Sequence, residues 1–137
     1  MAGPDSRETI LVVEDTETLR KMVCSMLRSN GYGVKEASHG AEALGLVVED
    51  CGSVNLVLTD VIMPEMGGAE LAHHLARLCP HLPVIFMSGY SEDPMVRSVE
   101  RIGSVFLPKP FTASALVEKV RQALDRPWPG LPMDHVV

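Results

Sequence analysis

The sequence predicts an α/β domain in which an open parallel sheet has helices on both of its faces. The first observation is a set of four apolar blocks that are continuous instead of alternating, which is typical of strands covered on both sides. These blocks are Ile10–Val13, Leu56–Leu58, Val84–Met87 and Val105–Leu107. The second observation is that segments with helical periodicity lie between the blocks, so that strands and helices alternate along the chain.

The first half of the chain begins with a strand at the first apolar block. A helix follows, because apolar residues recur at helical spacing from Leu19 to Leu27 and the pair Asn30-Gly31 ends the pattern. A weaker strand candidate, Gly33–Ala37, comes next, and a second periodic segment runs from Ala41 to Val48.

The second half repeats the same alternation. Three further helical segments are predicted, at Leu71–Leu78, Val96–Val99 and Leu116–Leu124. Thr112 is suited to cap the last of these helices. Strand and helix therefore alternate five times, at spacings too short for a barrel of eight units.

Composition limits the possible functions. The chain has 137 residues, 46% of them hydrophobic and 22% charged, which fits one globular domain. Its net charge of −6 disfavours direct contact with nucleic acid or with an anionic membrane. No apolar run approaches the ~20 residues of a membrane span. The first residues also lack the basic and apolar regions of a secretion signal.

The cysteines are Cys24, Cys51 and Cys79, an odd number with no CxxC pair. This arrangement predicts neither a zinc site nor a disulfide framework. We therefore expect three thiols without a special role, in a protein of the reducing cytoplasm.

One domain is predicted over residues 8–126. Residues 1–7 are predicted to be disordered or a leader introduced by cloning. Residues 127–137 contain three prolines and a glycine, and we expect them to form a Pro-rich tail or a linker stub.

Chemically active side chains follow four of the predicted strands. Glu14 and Asp15 follow the first strand, Asp60 ends the third, Ser88 ends the fourth and Lys109 lies just beyond the fifth. Ligands of open α/β sheets bind beyond the carboxyl ends of the strands. We therefore expect these five side chains to form one site.

The chemistry of this set indicates phosphoryl transfer. Three carboxylates close together repel one another, and burial would raise their pKa values unless a cation were present. The set offers only oxygen donors, which suits Mg²⁺ and does not suit zinc or copper. The lysine and the small hydroxyl can hold phosphoryl oxygens. Asp60, on the middle strand, is then predicted to be the nucleophile that forms an acyl phosphate.

Four motifs of this chain, VVED, TDVIMPEMGG, VIFMSGY and LPKPF, carry these residues. In order and spacing they resemble the response-regulator receiver domain over about residues 8–126. The resemblance implies a flavodoxin-like (βα)5 three-layer sandwich with the parallel strand order 2-1-3-4-5. It also implies a function in a two-component phosphorelay.

The resemblance assigns a role to each matching acidic residue. Asp60 would be the phosphoacceptor. Asp15, Asp60 and the backbone carbonyl of Ile62 would bind Mg²⁺ directly, and Glu14 would act through a water molecule.

The remaining matching residues would hold and sense the phosphoryl group. Lys109, presented by a cis bond to Pro110, would pair with phosphoryl oxygens, and Ser88 would hydrogen-bond one of them. Ser88 and Phe106 would form a switch that changes the surface of the fourth helix, fifth strand and fifth helix.

Ile62 and Tyr90 lie two residues beyond Asp60 and Ser88. Both side chains are bulky and should flank the phosphoryl group. We expect them to hinder the attacking water, so that autodephosphorylation is slow and the isolated domain is not an enzyme.

Other functions fit the residues less well. A haloacid-dehalogenase-type phosphatase needs a second Asp where Ile62 stands, and the Glu14-Asp15 pair would repel the phosphate of a flavin. A receiver-like module that binds a protein constitutively remains an alternative, although an unused cluster of carboxylates would be costly.

The motifs FMSGY and FLPKPFT, together with the Pro-rich ending, most resemble the carboxyl-terminal receivers of hybrid sensor histidine kinases. The expected partners are then a histidine kinase in the same polypeptide, which can be membrane-bound, and a histidine phosphotransfer domain. A stand-alone single-domain response regulator is the alternative. We expect the domain itself to be a monomer or a weak dimer.

Overall fold

The computed structural model describes residues 7–89, 93–100, 105–126 and 128. The predicted leader apart from Arg7, the predicted tail apart from Trp128, and Tyr90 all lie outside the described residues. Among the helices within the described ranges, none has the length and apolarity that crossing a membrane requires.

Strands and helices alternate through the described part of the chain. The strands are β1 (Thr9–Val13), β2 (Gly33–Ala37), β3 (Leu56–Asp60), β4 (Val84–Ser88) and β5 (Phe106–Pro108). The helices are α1 (Glu17–Ser29), α2 (Gly40–Val47), α3 (Gly68–Leu78), α4 (Pro94–Glu100) and α5 (Ala113–Asp125). All strand pairs are parallel, in the order β2-β1-β3-β4-β5, which confirms the predicted fold and strand order.

The sheet is buried on both faces, as the continuous apolar blocks predict. In β1, Leu11 and Val13 belong to a core cluster that includes residues of α2, α3 and α4. Ile10 and Val12 belong to a second cluster, which includes residues of α1 and α5. Burying each of these side chains contributes roughly 1.5–3 kcal/mol, so the two clusters hold the helix layers on the sheet.

The predicted helix ends are confirmed where the sequence carried a specific signal. α1 ends at Ser29, and Gly31 just beyond it has a φ of +91°, a conformation that favours glycine. α5 begins after Thr112, whose side chain accepts a hydrogen bond from the Ala115 backbone N–H at 3.0 Å.

The buried faces of two helices differ from the predicted periodicity. Met22 of α1 and Leu78 of α3 are exposed, whereas Cys24 and Cys79 are buried. A helix on one side of a sheet buries a stripe about 100° wide. In α1 that stripe follows Val23, Cys24 and Leu27, so Met22 lies beside it.

The expectation that no disulfide forms is wrong, because Cys51 and Cys79 are bonded to each other. Their Cα atoms are 5.7 Å apart, within the usual range for disulfides. Cys51 lies in a short 3-10 turn five positions before β3, and Cys79 lies five positions before β4. Because β3 and β4 are neighbours, the segments that enter them meet at the same edge of the sheet. Cys24 remains a free, buried thiol.

Helix α3 begins in direct backbone contact with the end of β3. The Gly68 N–H donates a hydrogen bond to the Val61 carbonyl at 2.7 Å. A Cβ atom at Gly68 would clash with the backbone carbonyl oxygen of Asp60. Only glycine therefore allows the helix to begin this close to Asp60.

This close approach predicts opposite effects for alanine at two helical glycines. Gly68→Ala should lower the free energy of unfolding by about 1–3 kcal/mol, since backbone must move to make room. Gly45→Ala in α2 is the matched control, because its Cβ would meet no heavy atom within 4 Å. It should raise the free energy of unfolding by about 0.5–1 kcal/mol. Urea denaturation measures both, and equal effects would contradict the close approach.

Candidate functional site

Three of the predicted site residues meet at the carboxyl ends of β1, β3 and β5. Glu14 directly follows β1, Asp60 ends β3 and Lys109 directly follows β5. Lys109 Nζ lies 2.6 Å from Asp60 Oδ1 and 3.1 Å from Glu14 Oε1. The lysine therefore bridges two carboxylates that come from two neighbouring strands. The peptide bond between Lys109 and Pro110 is cis, as the resemblance implies.

Glu14 is fixed by hydrogen bonds from several elements. Its Oε2 accepts from the Thr16 backbone N–H at 2.9 Å, at the start of α1. Its own N–H donates to the Ala37 carbonyl of β2 at 3.1 Å. Its carbonyl accepts from Arg20 Nη1 at 2.9 Å. With Lys109 on Oε1, both carboxylate oxygens have a partner.

Burial makes this carboxylate pair electrostatically costly. Glu14 is 1% exposed and Asp60 5%. Burial, followed by the hydrogen bond to Glu14, raises the pKa of Asp60 to about 8, although Lys109 acts in the opposite direction. Burial also acts to raise the pKa of Glu14, but hydrogen bonds from Asp60, the Thr16 N–H and Lys109 lower it overall.

Lys109 remains protonated and positively charged beside the two carboxylates. Burial acts to lower its pKa, but the hydrogen bond to Asp60 and the charges of both carboxylates raise it overall. One lysine therefore faces two buried carboxylates, and ionising both leaves an excess negative charge.

The acidic residues fit a hard divalent cation. Glu14, Asp15 and Asp60 each offer a carboxylate oxygen, and these oxygens all lie within 4.8 Å of one another. Asp15 is exposed, so the cluster is open to solvent on one side. An all-oxygen donor set with an open side suits Mg²⁺, which keeps several waters. Such a cation would supply the positive charge that the buried pair lacks.

Ser88 lies at the same edge of the sheet but makes other contacts. It is buried at the end of β4, and its hydroxyl donates to the Gly89 carbonyl at 3.2 Å. Its own carbonyl accepts from the Lys109 N–H at 2.8 Å. The end of β4 is therefore tied to the residue that bridges the carboxylates.

The predicted tuning residue Ile62 and the predicted switch residue Phe106 differ in exposure. Ile62, in the loop after Asp60, is 52% exposed. Phe106 is 7% exposed and belongs to the same core cluster as Val96 of α4 and Phe86 of β4. Phe106 is thus directed into the core in this structure.

Sequence analysis missed two residues that support the site, Thr16 and Arg20. Thr16 acts through its backbone N–H, which no side-chain pattern reveals. Arg20 also bonds Glu36 Oε1 at 3.0 Å. A cation in the first turn of a helix opposes the helix dipole, and this could have indicated a nearby acidic partner.

Comparison with known proteins agrees with this geometry. Residues 10–121 match the family described as the response regulator receiver domain. The chain belongs to this receiver family. Receiver domains are components of two-component signalling systems, and they interact with histidine kinases or phosphotransfer proteins.

Curated relatives of this receiver domain include larger proteins. It is 40% identical over 119 residues to the sensor kinase CckA of Brucella abortus, covering 86% of this chain and 13% of the kinase. It is 34% identical over 116 residues to the transcriptional regulatory protein FixJ of Rhizobium meliloti, covering 84% of this chain and 56% of FixJ. The chain thus spans only part of each relative.

Solved receiver structures superpose over most of the chain. The receiver domain of the hybrid histidine kinase CckA is 38% identical with a TM-score of 0.71, covering 85% of this chain and 98% of that one. A response regulator receiver domain protein from Clostridium thermocellum is 28% identical with a TM-score of 0.77, covering 87% and 95% respectively. Both comparisons agree with the receiver fold.

The raised pKa of Asp60 predicts a pH-dependent effect of Asp60→Asn in metal-free buffer. The folded state disfavours the ionised carboxylate, so this group costs stability as the pH rises from its ordinary pKa near 3.8 towards about 8. The variant escapes this cost but loses the ion pair with Lys109. We expect the free energy of unfolding of the variant to exceed that of wild type by on the order of 1–2 kcal/mol at pH 8, and by little at pH 4.

Thermal unfolding in the presence of a chelator measures this difference. A gain of that size should raise the midpoint by roughly 3–8 °C. Glu49→Gln, at an exposed carboxylate, is the control and should change little at either pH. A gain for Asp60→Asn that is the same at pH 4 and pH 8 would contradict the raised pKa.

Proposed function

We propose that Asp60 accepts a phosphoryl group from a phosphohistidine donor. The observation that carries this proposal is a buried carboxylate 2.6 Å from a lysine ammonium, within a cluster of three carboxylates. A carboxylate oxygen of Asp60 attacks phosphorus, the phosphorus–nitrogen bond to imidazole breaks, and an acyl phosphate forms. The nucleophile and its cation are thus preorganised.

The residues around Asp60 have separate tasks in this reaction. Asp15, Asp60 and the Ile62 carbonyl would hold Mg²⁺, with Glu14 acting through water. The ion would supply positive charge that favours ionised Asp60 and neutralises phosphoryl oxygens. Lys109 moves its ammonium from the carboxylate to a phosphoryl oxygen.

Phosphorylation then changes the neighbouring surface. The phosphoryl group adds about −1.5 to −2 charges at a fixed point. Ser88 exchanges its bond to the Gly89 carbonyl for one to a phosphoryl oxygen, which draws the end of β4 towards Asp60. Phe106, one strand away, is the residue whose packing responds, so the face formed by α4, β5 and α5 carries the signal.

The proposed setting is a hybrid sensor histidine kinase in which residues 8–126 are the receiver domain. The likeness to the receiver of CckA supports this setting. The donor is then a histidine of the kinase or of a phosphotransfer domain, and the domain works in the cytoplasm as a monomer or weak dimer. It contacts neither nucleic acid nor membrane directly, in keeping with its net charge of −6. By itself the domain is a phosphoacceptor and not an enzyme.

Labelling with acetyl phosphate tests the phosphoacceptor role. Wild type incubated with Mg²⁺ should gain the mass of one phosphoryl group, measured by intact mass spectrometry. Asp60→Asn should gain none, and a chelator should prevent the gain in wild type, because the cation offsets the charge of the buried pair. Wild type that stays unlabelled with acetyl phosphate and with a panel of phosphohistidine donors would overturn the role.

Dephosphorylation tests the tuning role of Ile62 and Tyr90. Ile62→Asn combined with Tyr90→Glu should shorten the phosphoryl half-life by about tenfold, or about 1.4 kcal/mol in barrier, because polar side chains admit and orient the attacking water. Val48→Asn is the control, since Val48 is an exposed apolar residue outside the site. An unchanged half-life in the double variant would refute steric protection by Ile62 and Tyr90.

A further inference from the structure

The disulfide lies near the amino-terminal ends of β3 and β4, whereas the carboxylates lie at the carboxyl ends of the strands. Cys51 precedes β3 and Cys79 precedes β4, whereas Asp60 ends β3. Its two halves differ in access to solvent: Cys51 is exposed, and Cys79 is 3% exposed and belongs to a core cluster. One sulfur therefore belongs to a surface turn and the other to the interior.

A groove gives access to this pair. Its volume is about 360 Å³, and its lining includes both cysteines together with Leu78, His81 and Leu82. A small thiol or an extended peptide carrying a cysteine fits a groove of this size. Leu78 is an exposed apolar side chain that such a peptide could contact.

We propose that Cys51 and Cys79 form a reversible thiol–disulfide site whose co-reactant is a dithiol, either a small molecule or a dithiol protein. Disulfides in the reducing cytoplasm, the location proposed above, are usually redox-active and not structural. The pair is accessible to a dithiol without unfolding, because the groove opens onto the exposed partner. This property is independent of the phosphoryl chemistry at Asp60.

The difference in exposure determines the order of bond changes. A thiolate of the reductant attacks Cys51 Sγ, the bond between the two protein sulfurs breaks, and Cys79 takes the electron pair and a proton. The second thiolate of the reductant then attacks its own sulfur in the mixed disulfide and releases Cys51, which is also protonated. In sum, the reductant is oxidised to its disulfide, and the protein gains two electrons and two protons.

Cys24 provides an internal reference for this chemistry. It is buried in the other core cluster, on the opposite face of the sheet. Burial, followed by the charge of Glu36, raises its pKa to about 11, so little reactive thiolate forms at neutral pH. Native reagents should therefore distinguish the pair from this third thiol.

Maleimide labelling and intact mass test reversibility in the full chain. After oxidation with glutathione disulfide and removal of the reagent, the native protein should take no label. Native treatment with dithiothreitol, followed by its removal, should then allow fast labelling at Cys51 and slower labelling at Cys79. Denaturant should expose Cys24, and renewed oxidation should return the native count to zero. Asp60→Asn should behave like wild type, and Cys24→Ala should lose only the third site.

Two outcomes would overturn the proposal. Native labelling at two sites directly after oxidation would mean that the pair does not close. A pair that dithiothreitol reduces only in denaturant would be a structural cross-link.

Variants that keep only one cysteine of the pair test which sulfur is attacked. In Cys79→Ala the remaining Cys51 should form a mixed disulfide with glutathione disulfide at least about tenfold faster than Cys79 does in Cys51→Ser, since only the thiol of Cys51 belongs to an exposed residue. Both variants should first match wild type in circular dichroism; if Cys79→Ala does not, Cys79→Val replaces it. Equal rates, or a faster Cys79, would refute attack at Cys51.

Discussion

The contact between Lys109 and two buried carboxylates determines how the carboxyl ends of three strands are arranged. Lys109 follows β5, Asp60 ends β3 and Glu14 follows β1. One ammonium group therefore connects the outermost strand β5 to the inner strands β3 and β1. Removing the lysine would leave two buried carboxylates without a compensating charge, which is strongly destabilising. Glu14 is held further by the backbone of α1, so the helix layer shares this constraint.

The same contact determines the charge balance of the site. One lysine cannot neutralise two ionised carboxylates. Together with burial, this excess of negative charge raises the pKa of Asp60. A surface-exposed pair would show little of this effect, because water screens it. Burial behind the apolar strands therefore makes ionisation of Asp60 depend on nearby positive charge, and the apolar blocks in the sequence contribute to this effect.

The sequence was sufficient to predict the strand order, the meeting of Glu14, Asp60 and Lys109 at the strand ends, and the helix ends at Gly31 and Thr112. Each of these follows from a local pattern or from a motif that resembles the family. The disulfide was not predicted, because it joins two segments through the pairing of β3 with β4 and has no spacing signature of its own. The close approach of Gly68 to Asp60 was not predicted either, because it depends on how the start of α3 packs against the end of β3. The direction of each pKa shift depends on three-dimensional contacts, because burial and hydrogen bonds act against each other in Glu14.

The disulfide also makes part of the chain a covalent ring. Cys51 and Cys79 are 28 positions apart, and the ring they close contains β3, the loop after Asp60 and α3. A single cleavage inside that ring opens it without separating the polypeptide into two pieces. The oxidised domain would then migrate as one molecule in a non-reducing gel and as two fragments after reduction. Asp60 thus lies in a segment that stays covalently joined to the rest of the domain after one peptide bond is broken, as long as the two sulfurs stay joined.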